Sequence, residues 1–265
     1  MKEMERTITP MGREPRLREK VVVVTGGAGG IGRTYCTHLA REGAAVVIAD
    51  IDGESAGALA ERLCEEFGPK QAAAVQFNVT SETEVERLAS ETVDRFGAID
   101  VLVNNIGTYP HQEFEDITFE DWRRVLSLNL DSVFLCSRAV LPMMKAQGAG
   151  KIVNVATNLV WIGLAGMVHY VTAKTGVVGF TRALSREVGS WGITVNAIAP
   201  GAVAPPVHLL DNASLERLEQ IVTHQAVKWC ERPIDLVGAL LFLASSDSDF
   251  VSGQVLTVDG GLTTH

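Results

Sequence analysis

Val21-Val22-Val23-Val24-Thr25-Gly26-Gly27-Ala28-Gly29-Gly30-Ile31-Gly32 decides how this 265-residue chain is read. Four successive valines are apolar on every side, as a strand buried on both faces of a parallel sheet must be. The glycines follow at once, and Ile31–Glu42 continues at helical spacing. Glycines between a strand and a helix let the backbone turn tightly and approach a pyrophosphate, which then rests on the helix N-terminus. The stretch contains both G-x-G-x-x-G (Gly27, Gly29, Gly32) and G-x-x-x-G-x-G (Gly26, Gly30, Gly32). Such a run is weak evidence alone; the strand before it and the helix after it supply the required context.

Outward from there, short β-branched runs alternate with longer helical stretches. Val21–Val24, Ala45–Ala49, Ala73–Val79, Ile99–Val103, Lys151–Val155, Ile193–Ile198 and Val255–Val258 read as strands. Ile31–Glu42, Gly53–Phe67, Glu82–Phe96, Phe119–Met144, Val168–Gly189 and Pro233–Ala244 read as helices. The alternation predicts an α/β protein: one doubly wound parallel sheet of about seven strands with helices on both faces. Residues 1–16 read as a polar N-terminal extension, either flexible or an ordered flap, and 17–265 as a single domain. About 202–230 forms an insertion with a helix near Ser214–Thr223, where a substrate lid is expected.

The second predicted strand ends at Asp50, eighteen positions after Gly32. A carboxylate there accepts hydrogen bonds from adenosine ribose hydroxyls and repels a 2′-phosphate, so the expected cofactor is NAD. Ile51, next along, is placed beside it. Tyr170 and Lys174 stand four apart, on one face of a predicted helix. A neighbouring ammonium favours the phenolate, which makes the pair a candidate general acid/base.

Composition narrows the function. A net charge of −9 and a pI near 5.2 argue against nucleic acid and against an anionic membrane surface. No apolar run is expected to reach the ~18 residues of a membrane span. Met1 to Lys20 has no apolar core of the kind a secretory signal needs. The four cysteines (36, 64, 136, 230) form no C-x-x-C, which fits reduced, mostly buried thiols in the cytoplasm. The six histidines show no metal-ligand spacing, and no metal is expected.

Several separated motifs now stand in order: the glycine loop, Asn78-Val79, Asn104-Asn105-Ile106-Gly107, Asn129, Tyr170-x-x-x-Lys174, Pro200-Gly201 and Val258-Asp259-Gly260-Gly261. Together they resemble the short-chain dehydrogenase/reductase family, from about Leu17 to Gly261. The resemblance implies a Rossmann-type fold and an NAD-dependent oxidoreductase. It implies that Gly26, Gly30, Ile31 and Gly32 line the pyrophosphate, that Asp50 holds the ribose, and that Asn78 and Val79 border the adenine. Asn105 and Gly107 would lie on the nicotinamide side, and Pro200, Gly201 and Val203 at the carboxamide. Asn129 would bend its helix and hold a water leading to Lys174, which also binds the nicotinamide ribose. The family implies a homotetramer or homodimer.

Two positions depart from the family pattern. Its usual serine, thirteen places before the tyrosine, is Thr157, which keeps a hydroxyl but adds a methyl. A threonine usual five places after Pro200 is Pro205, followed by Pro206. The expected reaction is reversible oxidation of an alcohol, with Tyr170 moving the proton, its pKa lowered by Lys174 and by the nicotinamide, and Thr157 holding the substrate oxygen. Tyr109, Leu159, Trp161, Met167 and His208 are the expected substrate contacts. The loops that carry them lack Lys and Arg around Tyr109 and between Ala202 and Leu210, which suits a hydrophobic alcohol or ketone. A looser resemblance to 1-phenylethanol and pyridoxal 4-dehydrogenases leans toward an aromatic or cyclic one. The alternatives are a 3-oxoacyl reductase, a polyol or sugar dehydrogenase, and a non-catalytic dinucleotide-binding protein.

Overall fold

In the computed structural model, which describes residues 14–204 and 211–264, the valine run is an interior strand of a seven-stranded parallel sheet. The strands are β1 Val21–Thr25, β2 Ala45–Asp50, β3 Ala72–Gln76, β4 Val101–Asn104, β5 Gly150–Val155, β6 Ile193–Pro200 and β7 Val255–Val258. Their order is β3-β2-β1-β4-β5-β6-β7. Chain direction across the sheet reverses between β1 and β4, which opens a crevice at the carboxyl ends of those two strands.

Period-two alternation puts Val22 and Val24 in one core and Val23 in the other. The helices are α1 Gly30–Arg41, α2 Gly53–Phe67, α3 Glu82–Phe96, α4 Phe119–Leu126, α5 Ser132–Gln147, α6 Leu159–Ile162, α7 Val168–Val188, α8 Asn212–His224 and α9 Val237–Ala244. α1, α2 and α9 supply the first core with Leu39, Leu59 and Leu240; α3 and α5 supply the second with Leu88 and Met144. Each such side chain, fully buried, contributes about 1.5–3 kcal/mol. Side-chain caps fix several starts: Asp52 accepts the Ser55 N–H at 3.0 Å, and Thr118 accepts that of Asp121 at 3.0 Å.

Some boundaries differ from expectation for local reasons. β3 stops at Gln76 instead of Val79, because Asn78 Oδ1 turns back to accept the Thr80 N–H at 3.0 Å. β4 starts at Val101, because the Asp100 carboxylate is tied to Val21 N at 2.8 Å and Lys20 Nζ at 2.9 Å. The helix expected over Phe119–Met144 is α4 and α5 joined by one π-helical turn, Ser127–Asp131. Asn129 Nδ2 donates to Val125 O at 2.9 Å and so competes for the helical ladder. Pro233–Leu236 is a 3-10 turn leading into α9.

One expectation needs correction. Phe119–Gln147 taken together is long and apolar enough, by length and composition, to cross a membrane. Its apolar side, with Val133, Cys136, Val140 and Met144, is instead packed in the second core against the sheet. The expected extension 1–16 lies mostly outside the described residues, and Leu17 is fully buried, its N–H donating to Glu42 O at 3.0 Å.

Candidate active site

The glycine loop leaves β1 and enters α1 at the crevice. Gly26 adopts φ +63°, which favours glycine. A Cβ on Gly32 would overlap the Gly26 carbonyl oxygen and stand 2.9 Å from Asn105 Nδ2, so the helix can start this close to the strand only without a side chain. Built on Gly29 or Gly30, a Cβ meets nothing within 4 Å, so the outer side of the loop is open. This is the shape a pyrophosphate needs at a helix N-terminus. Asn105 holds the inner side: its amide donates to Thr25 O at 3.2 Å and Gly26 O at 3.1 Å, and its N–H to Thr25 Oγ1 at 3.1 Å. Thr25 was not singled out from sequence, although a threonine closing an all-valine strand was the available sign.

Asp50 ends β2 beside that loop. Its Oδ2 accepts the Ala28 N–H at 3.0 Å and its Oδ1 the Asp52 N–H at 3.1 Å, which fixes the carboxylate against the glycine loop. Ile51 is exposed there, and Val79 is buried below. Asn78 keeps its oxygen for Thr80. Sequence reasoning also passed over Arg33, whose Nε donates to Ala28 O at 3.1 Å and whose charge acts on Asp52.

Beyond β4 and β5 the predicted catalytic residues converge. Lys174 on α7 is buried and donates from Nζ to Val155 O at 2.7 Å. A Cβ on Gly107 would stand 3.0 Å from Asn129 Oδ1 and 3.4 Å from Lys174 Nζ, so these three residues meet. Asn129, fully buried in the π-turn, donates to Thr108 O at 2.9 Å and accepts the Thr108 N–H at 3.3 Å, clamping the loop after β4. Thr157 is 5% exposed, and its hydroxyl is near enough to the Tyr170 phenol to lower that group's pKa. The Tyr109 ring packs edge-on against that of Tyr170, with centroids 6.2 Å apart.

The electrostatics differ from the expectation for a phenol beside an ammonium. Burial pushes Tyr170 up to about 12, against the lowering by the Thr157 hydroxyl, and the Tyr109 phenol adds to the rise. Burial also brings Lys174 down to about 8. The lysine is turned to the Val155 carbonyl, and desolvation of the phenol wins. Without cofactor, Tyr170 therefore holds its proton at neutral pH.

On the substrate side, the Gln112 N–H donates to Gly166 O at 2.8 Å, and the His111 ring lies against the Gly166 backbone. The loops after β4 and β5 are thus stitched together over Tyr170. Met167 is buried ahead of α7, and Leu159 donates its N–H to Thr157 Oγ1 at 3.3 Å. Trp161 is directed to the sheet edge, its indole N–H donating to Thr257 Oγ1 at 3.4 Å. His208, Pro205 and Pro206 lie outside the described residues. Pro200 O accepts the Asn158 N–H at 2.8 Å, and Val203 packs on the first core. Gly201 donates to Glu231 Oε2 at 2.9 Å, and a Cβ there would meet Glu231 and Asp259. Nothing in Cys230-Glu231-Arg232-Pro233 marks Glu231 as buried in advance.

Comparison with known proteins agrees with this geometry. Residues 26–263 match the family profile described as enoyl-(acyl carrier protein) reductase. The chain is 38% identical to (2S)-[(R)-hydroxy(phenyl)methyl]succinyl-CoA dehydrogenase subunit BbsD of Thauera aromatica, over 92% of this chain and 97% of that one. It is 36% identical to a 3-oxoacyl-[acyl-carrier-protein] reductase of Synechocystis, over 93% and 98% respectively. It is also 36% identical to trans-4-hydroxycyclohexanecarboxylate dehydrogenase of Sinomonas cyclohexanicum, over 94% of each. The chain belongs to the short-chain dehydrogenase/reductase family, oxidoreductases that bind a nicotinamide dinucleotide.

Proposed function

We propose that this short-chain dehydrogenase/reductase uses NAD(H) to interconvert a hydrophobic, aromatic or cyclic, secondary alcohol and its ketone. The convergence of Thr157, Tyr170, Lys174 and Asn129 at the carboxyl ends of β4 and β5 carries the reading. The open glycine loop and the Asp50 carboxylate fit the dinucleotide. Gly26 and Gly30 to Gly32 would hold the pyrophosphate, Asp50 and Ile51 the adenosine ribose, and Asn78 and Val79 the adenine. Asn105, Gly107, Lys174 and the Pro200–Val203 turn would hold the nicotinamide half. When bound, the dinucleotide accepts or donates the hydride.

The chain's own residues handle the oxygen and the proton. Thr157 Oγ1 donates to the substrate oxygen and stabilises the negative charge that develops there. In reduction Tyr170 Oη, protonated at neutral pH, gives its proton to that oxygen; in oxidation the phenol first loses its proton to solvent, a loss the cationic nicotinamide would favour, and the phenolate then takes the proton of the alcohol. Lys174 Nζ and Asn129, meeting at Gly107, keep a polar exit behind Tyr170 in an otherwise dry site. The stitched loops, with Tyr109 set edge-on against the Tyr170 ring, lie beside it.

One observation favours a second reading, an NADPH-linked 3-oxoacyl reductase: Arg33 places a cation by the adenosine end. The test is dinucleotide reduction with NAD and NADP over a panel of aliphatic, aryl, cyclic and sugar alcohols, with 3-oxoacyl thioesters in reverse. Best turnover with NAD and a cyclic or aryl alcohol supports the first reading. NADPH with a thioester establishes the second, and a polyol as best substrate overturns the pocket reading. Tyr170→Phe should still bind NAD and lose nearly all turnover; an active variant would remove Tyr170 from its role.

The assembly that fits is a homotetramer. Phe119 is 77% and Phe134 46% exposed along α4 and α5, and Leu256 on the edge strand β7 is 39% exposed. Light scattering that gives a monomer would refute it. Cys64 and Cys230, half-buried and unpaired, suit a reducing cytoplasm.

A further inference from the structure

Glu231 is a buried carboxylate that the chemistry above does not use. It is 5% exposed and holds both ends of the turn after β6: Oε2 accepts the Gly201 N–H at 2.9 Å, and its main-chain oxygen accepts the Ala204 N–H at 2.7 Å. Its other oxygen, Oε1, is buried with no hydrogen-bond partner among the described residues. Tyr35 Oη, on the glycine-loop helix α1, is buried in the same condition, and the Glu231 charge acts on it. The other charged groups facing Glu231 are Asp235 from the turn before α9 and Asp259 after β7. No cation forms an ion pair with Glu231 among the described residues.

Two carboxylates therefore flank Gly201, and they differ. Asp259 accepts from Asn158 Nδ2 at 3.1 Å, from the Gly261, Leu262 and Thr263 N–H groups at 3.0, 3.2 and 2.9 Å, and from Thr263 Oγ1 at 2.7 Å. Glu231 has a single donor, the Gly201 N–H, and faces two acidic side chains, Asp235 and Asp259. Burial pushes it up to about 8, against the Gly201 N–H and with Asp235 and Asp259.

We propose that Glu231 is a proton-operated support of the nicotinamide turn, which loses its proton when the cationic nicotinamide of NAD⁺ is seated and keeps it when neutral NADH is seated. As a neutral acid it accepts the Gly201 N–H without placing charge under the turn. Ionised, it attracts the one part of the cofactor whose charge differs between the two redox states. The proton passes to solvent, and the Glu231 carboxyl becomes a carboxylate. Glu231 is thus a positioning residue that also discriminates oxidised from reduced cofactor. This rests on the reading of Pro200–Val203 as the nicotinamide side of an NAD site.

The experiment is calorimetric titration of NAD⁺ and NADH into the full chain at about pH 6.5 and about pH 9, in buffers of different ionisation enthalpy. At the lower pH, NAD⁺ should release a fraction of a proton and NADH none. The NAD⁺:NADH affinity ratio should rise roughly tenfold between the two pH values, the scale of one charge interaction in a medium of intermediate dielectric. Glu231→Gln keeps an acceptor for Gly201 and should show neither effect. The same proton release in Glu231→Gln would overturn the proposal. A wild-type infrared difference spectrum needs no variant: NAD⁺ should remove a protonated-carboxyl band, and an unchanged band overturns the assignment. If neither NAD⁺ nor NADH binds, the cofactor reading fails first; tight binding of both without proton release fails this proposal alone.

Discussion

Thr157→Val replaces a hydroxyl by a methyl of the same shape at a site 5% exposed, so its effects separate cleanly. Two things are lost in the resting protein. The Leu159 N–H loses its 3.3 Å acceptor at the start of α6, which costs about 1 kcal/mol. The Tyr170 phenol, already pushed up to about 12, loses the neighbouring Thr157 hydroxyl that lowers it. During turnover, the substrate oxygen also loses a donor where its charge develops. One such donor is worth about 2.7–4 kcal/mol, or ~10²–10³ in kcat. The expected result is therefore a fall of two to three orders of magnitude in kcat/KM, in both directions, on the best alcohol from the panel. The alkaline limb of the oxidation profile should move to higher pH. NAD affinity, followed by fluorescence, should change by less than about twofold. Thr157→Ser should stay within about threefold of the parent, because the hydroxyl does the work and the methyl does not. The reasoning is refuted if the valine variant keeps its kcat/KM, or if the serine variant falls as far.

Gly32→Ala forces a Cβ into the Gly26 carbonyl, so NAD affinity should drop more than about 100-fold in a binding titration; near-normal affinity would show that the loop can shift. Asp50→Ala removes a charged acceptor worth about 1.5–3 kcal/mol, so NAD should bind about 10–150-fold more weakly and discrimination against NADP should shrink. Unaltered NAD preference would take Asp50 out of the ribose site. Glu231 has its folded-state pKa raised to about 8 from 4.5, so the native state binds the proton more tightly than the unfolded chain. Its contribution to stability is full below the unfolded value and is lost as pH rises through about 8. Thermal melts across that window should show Glu231→Gln gaining on the parent by up to roughly 4 kcal/mol as pH rises; parallel curves would contradict the shift.

Most of the architecture was legible because it rests on local patterns. Val255–Val258, Gly53–Phe67 and Glu82–Phe96 form with the limits expected, the two helices behind side-chain caps visible in the sequence as Asp52 and Ser81. The meeting of Gly107, Asn129 and Lys174 was legible only through the family resemblance, since the three belong to separate segments. What escaped is non-local. The π-turn depends on Asn129 finding Thr108 across the crevice, and helical periodicity in Phe119–Met144 says nothing of that. The Tyr170 pKa was expected to fall from its spacing to Lys174; the depth of the pocket, which spacing does not encode, makes it rise. Glu231 sits among polar residues in the sequence and becomes buried only when the turn after β6 closes over it.

The strand order carries a consequence for how the chain reaches this state. β1, β2 and β3 pair once Gln76 has been made, so the glycine loop and Asp50 can take shape early in synthesis. The turn after β6 cannot, because Asp259, which flanks Gly201, is fastened to Asn158 across 101 residues and is itself tied down by Thr263. Closing so long a loop is entropically expensive, and a sheet of purely parallel strands folds slowly. A half-made chain therefore carries the glycine loop and Asp50 beside an unassembled second half, and the bonds from Asn158 and Thr263 to Asp259 are the clasp that joins the two.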